Sequence, residues 1–120
     1  MTETHKTAWR FSLPFLPPSV NHSYVNSGSG RRVLRQDAKD LRDSIGFYAL
    51  ASGFRLKPGG YAVHVTFTFP TNRHDIDGPV KHLLDGIFGT AADKQVWRLV
   101  VDKSVEKGVS KTEVEIEVLK

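Results

Sequence analysis

Residues 69–96 read FPTNRHDIDGPVKHLLDGIFGTAADKQV, and the parsing of this stretch decides the fold. Val80, Leu83, Leu84, Ile87 and Phe88 recur at i, i+3, i+4, i+7 and i+8, which makes one apolar stripe at helical period. Asp77 or Gly78 is the expected N-cap, with Pro79 in the first turn, where its missing N–H costs nothing. Asp77, Lys81 and Asp85 fall at i, i+4 and i+8, so the helix carries a polar line beside its core face. Asp75 and Asp77 stand two residues apart, a spacing that lets both carboxylates of an extended or turned backbone reach one side. Asp93 comes just beyond the helix.

Upstream, Tyr61, Val63, Val65, Phe67 and Phe69 alternate with Ala62, His64, Thr66 and Thr68, a half-buried strand stopped by Pro70. It delivers the chain into the aspartates. Downstream, residues 96–105 are rich in β-formers, with Trp97, Leu99, Val101 and Lys103 on one face. Thr112, Val114, Ile116 and Val118 alternate strictly with Glu113, Glu115 and Glu117, and Glu106-Lys107-Gly108 is turn chemistry. These last two strands are expected to pair as an antiparallel hairpin whose glutamates face solvent.

Further out, Gln36 to about Ser52 reads as a second helix, with Ala38, Leu41, Ile45, Tyr48 and Ala49 inward and Lys39, Asp40, Arg42 and Asp43 toward water. Gly53 is its expected C-terminal cap, and Gly46 permits close approach of another helix. Residues 8–15 read as a strand running to a sheet edge, and Leu16-Pro17-Pro18-Ser19 must be extended or turned. Residues 21–30 form a polar loop that leads into Arg31-Arg32-Val33-Leu34-Arg35, three arginines able to clamp phosphates. The order of elements predicts one α+β domain: a mixed four-stranded sheet with two helices packed against it.

A chain of 120 residues with 39% hydrophobic and 25% charged composition suits one soluble globular domain. It has no apolar run able to span a bilayer, and MTETHKTAWR lacks the apolar core of a signal peptide, so a cytoplasmic protein without membrane partners is expected. Zero cysteines exclude disulfides, thiolate catalysis and cysteine-based zinc sites. Residues 1–60 hold nine Lys/Arg against four Asp/Glu, whereas residues 61–120 hold eight against nine. The basic first half would attract a polyanion, and the acidic second half holds the aspartates.

A carboxylate cluster repels itself, and a bound cation is its usual justification. Mg²⁺ takes oxygen ligands, keeps several waters and is typically held by one or two carboxylates plus substrate phosphates. D-x-D spacing, a third carboxylate from a later segment and a nearby lysine suit phosphodiester hydrolysis by a metal-activated water. Alone, a D-x-D is equally well a helix cap beside a solvated loop residue. His64 and His74 read as ordinary surface or hydrogen-bonded histidines, because the carboxylate set already suits Mg²⁺.

Asp75-Ile76-Asp77 with Lys81 four residues on, Asp85 further along the helix and Asp93-Lys94-Gln95-Val96 together resemble the RusA-type Holliday junction resolvases, small endodeoxyribonucleases of bacteria and their phages. Leu13-Pro14-Phe15 and Pro17-Pro18-Ser19-Val20-Asn21 are similar to that family's L-P-x-P-P-S-x-N opening, and Lys103 fits a lysine on the strand after the third aspartate. The chain departs from the family at Gly78, where Asn is common, at Ala92, where a second acidic residue is common, and in a shorter connection to Asp93.

The resemblance implies a cytoplasmic, homodimeric, metal-dependent enzyme that cuts branched DNA, four-way junctions above all, in recombination and repair. It implies Asp75, Asp77 and Asp93 as ligands of Mg²⁺, with Mn²⁺ as a substitute, and Lys81 as a further catalytic residue. Arg31, Arg32, Arg35, Arg73 and Lys103 are the expected nucleic-acid contacts. Two other classes suit the same residues: a non-catalytic protein that binds branched DNA, and a small-molecule phosphohydrolase using the same carboxylates.

Overall fold

The computed structural model describes residues 8–19, 24–26, 32–34 and 36–120, with the backbone alone for 24–26, 32–34 and Asp93. In chain order the elements are β1 (Ala8–Leu13), β2 (Tyr24–Asn26), β3 (Arg32–Leu34), α1 (Gln36–Ala51), β4 (Tyr61–Phe69), α2 (Val80–Phe88), a 3-10 turn (Gly89–Ala91), α3 (Ala92–Gln95), β5 (Val96–Val105) and β6 (Lys111–Val118). The fold is α+β. Four strands make one mixed sheet in the order β1-β6-β4-β5, in which β5 runs parallel to β4 while β6 runs antiparallel to β4 and β1.

The strict alternation of β4 fixes which face is covered. Val63, Val65, Phe67 and Phe69 are buried with Val114 and Ile116 of β6 beneath the inward residues of both helices, among them Ile45, Leu83 and Ile87. Complete burial of a side chain such as Phe67 or Ile116 stabilises the fold by about 1.5–3 kcal/mol each. The opposite face stays open and polar, carrying Arg10, His64, Thr66 and Glu115. There Arg10 donates to Glu115, and Nε2 of His64 lies 2.7 Å from Oδ2 of Asp102.

Two glycines set the helix crossing. A Cβ at Gly46 would meet the carbonyl oxygen of Gly86 at 2.9 Å, and a Cβ at Gly86 would meet Cβ of Ile45 at 2.8 Å. The close packing expected at Gly46 is therefore present, with Gly86 as its counterpart. At the end of α1, Gly53 adopts φ +97°. The Gly53 N–H donates to the Leu50 carbonyl and the Phe54 N–H to the Ala49 carbonyl, the paired closure of a Schellman cap.

Three local expectations are corrected. β5 and β6 do not form a hairpin: residues 106–110 cross the end of β4, where the Glu106 N–H donates to the Phe69 carbonyl at 3.0 Å, and β6 inserts between β4 and β1. Alternation reports which face of a strand is buried but says nothing of its lateral neighbour. The fully covered residues Thr112, Val114 and Ile116 draw β6 to the centre against Phe67, Val65 and Val63, and β5 is left at the edge. At the start of α2 the N-cap is Pro79, without a side-chain cap, because Asp77 and Gly78 belong to the preceding turn. The stretch expected as a polar loop contains β2, which pairs with β3 as an antiparallel ribbon.

Candidate functional site

The D-x-D turn is built from three segments. Beyond Phe69, Pro70 ends the strand and the chain turns; the His74 ring then stacks on Phe69, with centroids 5.0 Å apart and planes 9° from parallel. Lys103, at the far end of β5, donates to the carbonyls of His74 at 2.7 Å and Asn72 at 3.4 Å, and its ammonium stands 5.7 Å from the centre of the Phe69 ring. Asp75 and Asp77 come next, both exposed, and their carbonyls accept from the N–H groups of Gly78 at 3.3 Å and Val80 at 3.2 Å. The side chains are thus carried on a turn closed by its own backbone.

The third segment is the N-terminal one. Ser19 packs on Gly78 so closely that a Cβ there would meet its Oγ at 3.2 Å. Leu16, Pro17 and Ser19 share a cleft of about 420 Å³ with Phe69, Arg73, His74 and Asp75. The proline-rich opening and the aspartate turn, more than fifty residues apart in the chain, therefore meet at one place.

Asp77 faces a different cleft, of about 450 Å³, between α2 and β5. Val80, Leu84, Leu99 and Val101 give this cleft an apolar floor, and Asp77, Lys81 and Asp85 line it along the helix. Lys81 Nζ bonds Asp85 at 3.1 Å, and Arg42 of α1 reaches the same carboxylate oxygen at 3.5 Å. The expected polar line is present, but it is an ion-paired one, and Arg42 belongs to it instead of facing water.

The two aspartates of the D-x-D thus line separate clefts. Asp75 precedes the turn and Asp77 lies within it. Asp93 is the second residue of α3, which runs directly into β5, and only its backbone is described. The β4–β5 register sets Val96 opposite Tyr61 and Val105 opposite Phe69, so α3 leads into the end of the sheet away from the D-x-D turn. Among the described residues no three acidic or histidine groups gather as a metal cage. Arg31 and Arg35 lie outside the described residues; Arg32 is on β3, with backbone alone described, and Arg73 is exposed beside Asp75.

His82 was not singled out by sequence reasoning, yet it is completely buried on α2. Burial foremost, then the Arg42 charge, holds its pKa below the usual histidine value; Asp85 pulls the other way and Lys81 adds to the depression. Its position one helical turn before Gly86 is the signal that could have found it, since that line of α2 meets α1.

No protein-family model matches the chain, and no curated protein matches it. Among the described residues, no helix is long and apolar enough to cross a membrane.

Proposed function

We propose that this chain is a Mg²⁺-dependent endodeoxyribonuclease of the RusA type, which as a two-fold dimer cuts four-way DNA junctions by paired hydrolytic incisions. One observation carries the reading. Asp75 and Asp77 are exposed on a backbone-closed turn with no ion pair to a described residue, while Lys81 is held by Asp85 and Lys103 by backbone carbonyls. Two hard-oxygen donors left without a cation fit the donor chemistry of Mg²⁺, which needs only one or two protein carboxylates when substrate phosphates and waters complete its shell. Asp93, carried by α3 at the other end of the sheet from the D-x-D turn, is left out of this ligand set, and Mn²⁺ is the natural substitute.

When bound, the ion supplies a water acidified for attack at phosphorus. Lys81 lies one turn into α2 from Asp77, where an ammonium would orient the scissile phosphate and stabilise its developing charge. Arg73 beside Asp75 adds a positive contact to the strand entering the site, and Arg31, Arg32 and Arg35 add further phosphate contacts. Lys103 positions the turn through its carbonyl contacts.

The separation of Asp75 and Asp77 into two clefts favours a second reading, a protein that binds branched DNA without cutting it. The test is incubation of the pure protein with a synthetic four-way junction and a matched linear duplex, in Mg²⁺ and in EDTA. Metal-dependent nicks confined to the junction support the nuclease; tight junction binding without nicks supports the second reading.

A further inference from the structure

β5 ends the sheet, and among the described residues nothing pairs with its outer edge. The strand exposes apolar side chains on both faces, Leu99 at 40%, Val100 at 45% and Val105 at 47%, beside the charged Arg98, Asp102 and Lys103. A ten-residue edge strand with bare N–H and C=O groups is a template for another strand. Beyond the irregularity near Trp97, where Ala62 takes Arg98 as its partner after Tyr61 takes Val96, the register against β4 is regular to Val105.

The charges on this strand identify the occupant. Arg98 and Asp102 are both exposed and stand symmetrically about Val100, two residues to either side. If a second copy of β5 pairs antiparallel with Val100 facing Val100, Arg98 of each copy lies opposite Asp102 of the other, and Leu99 lies opposite Val101. A slip of one residue sets Arg98 against Lys103 or against Val101, and it also turns the polar face of one sheet toward the helical side of the other. Opposite charges directly across a ladder stabilise the pair and like charges oppose it. Of the registers that keep the two faces matched, only this one sets opposite charges directly across the ladder.

We propose that β5 is the dimer interface of this protein, joining two four-stranded sheets into one across a two-fold axis at Val100. The axis is normal to the sheet, so both helical layers lie on the same side. Leu99 and Val101, which floor the cleft between α2 and β5, then adjoin their copies across the axis, and the two clefts carrying Asp77 and Lys81 open onto one shared strip. This names the surface for the two-fold arrangement of the proposed function, and it rests on the strand itself, whether or not the chain cuts DNA.

The chain has no cysteine, so Val100→Cys introduces a single thiol. Directly opposed residues of an antiparallel pair lie about 4.5–5.5 Å apart between Cα atoms, within the span of a disulfide. Mild oxidation, without DNA or metal, is expected to give a disulfide-linked dimer rapidly, whereas Phe47→Cys, on α1 and 71% exposed, gives only a slow background. Arg98→Asp in the Val100→Cys chain is expected to slow cross-linking roughly tenfold by facing like charges, and adding Asp102→Arg restores it. Circular dichroism confirms that each variant is folded. Cross-linking of Val100→Cys no faster than Phe47→Cys overturns the proposal, as does a rate indifferent to Arg98→Asp or a swap that fails to recover it. Junction cleavage is measured separately, so loss of the dimer contact and loss of the nuclease reading are distinguishable.

Discussion

Replacing Gly86 by alanine sets two effects of opposite sign against each other. Alanine is the better helix former by about 1 kcal/mol, so helix propensity alone predicts a more stable protein. Packing predicts the reverse: the new Cβ would lie 2.8 Å from both Cβ and Cγ2 of Ile45 and 2.9 Å from the Arg42 carbonyl oxygen. Carbon atoms pack best at roughly 3.5–4.0 Å. Cβ of Ile45 and the Arg42 carbonyl belong rigidly to α1, so relief requires the two helices to part. Overpacking costs about 1–3 kcal/mol, and with such immobile neighbours the upper end applies. The net loss is therefore about 2 kcal/mol, a fall in thermal midpoint of about 6–12 °C for a domain of this size. Urea titration at constant m-value measures it directly. The Arg42–Asp85 contact, already 3.5 Å long, should open in the same variant. A midpoint equal to or above that of the parent protein would refute the packing account of the α1–α2 crossing.

Buried His82, whose pKa is lowered in the fold, binds a proton more readily when unfolded; its contribution is complete above about pH 6.5 and declines as the pH falls below that. Thermal melts from pH 8 to pH 5 should show this decline, and His82→Leu should flatten it. Asp75→Asn and Asp77→Asn should leave the urea midpoint within about 0.5 kcal/mol of the parent or above it, because neither carboxylate holds an ion pair with a described residue. A large loss would make them structural residues. Lys103→Met removes the donors to the His74 and Asn72 carbonyls, so trypsin should cleave after exposed Arg73 faster, with little change in global stability. An unchanged cleavage rate would show that the turn is held without Lys103.

Periodicity made much of this fold readable. The stripe through Val80, Leu84 and Phe88 located α2 to within a residue or two, and the alternation of Tyr61, Val63 and Val65 located β4 from Tyr61 to Phe69. Gly46 pointed to the helix crossing because a small residue inside a helix has few other justifications. Lateral order in the sheet was not readable: the pattern of Val114 and Ile116 is the same whether β6 neighbours β5 or splits β1 from β4. The site divided in the same way. Lys81 and Asp85 met because helical spacing is rigid, whereas the meeting of Ser19 with Gly78 and of Lys103 with the His74 carbonyl depends on tertiary contacts that local spacing does not encode. That Asp75 and Asp77 line different clefts was not readable from their spacing either, because Asp77 lies in a turn and a turn, unlike a strand, carries no fixed period.

The proposed function makes the D-x-D turn a cutting site. Single-turnover cleavage of a four-way junction in Mg²⁺ by the parent protein, Asp75→Asn and Asp77→Asn, with junction binding measured in parallel, tests it most directly. The predicted result is paired, symmetric incision by the parent alone, with both variants binding the junction at least as tightly. Incision that persists in both variants, or a parent that binds and never cuts, would contradict it.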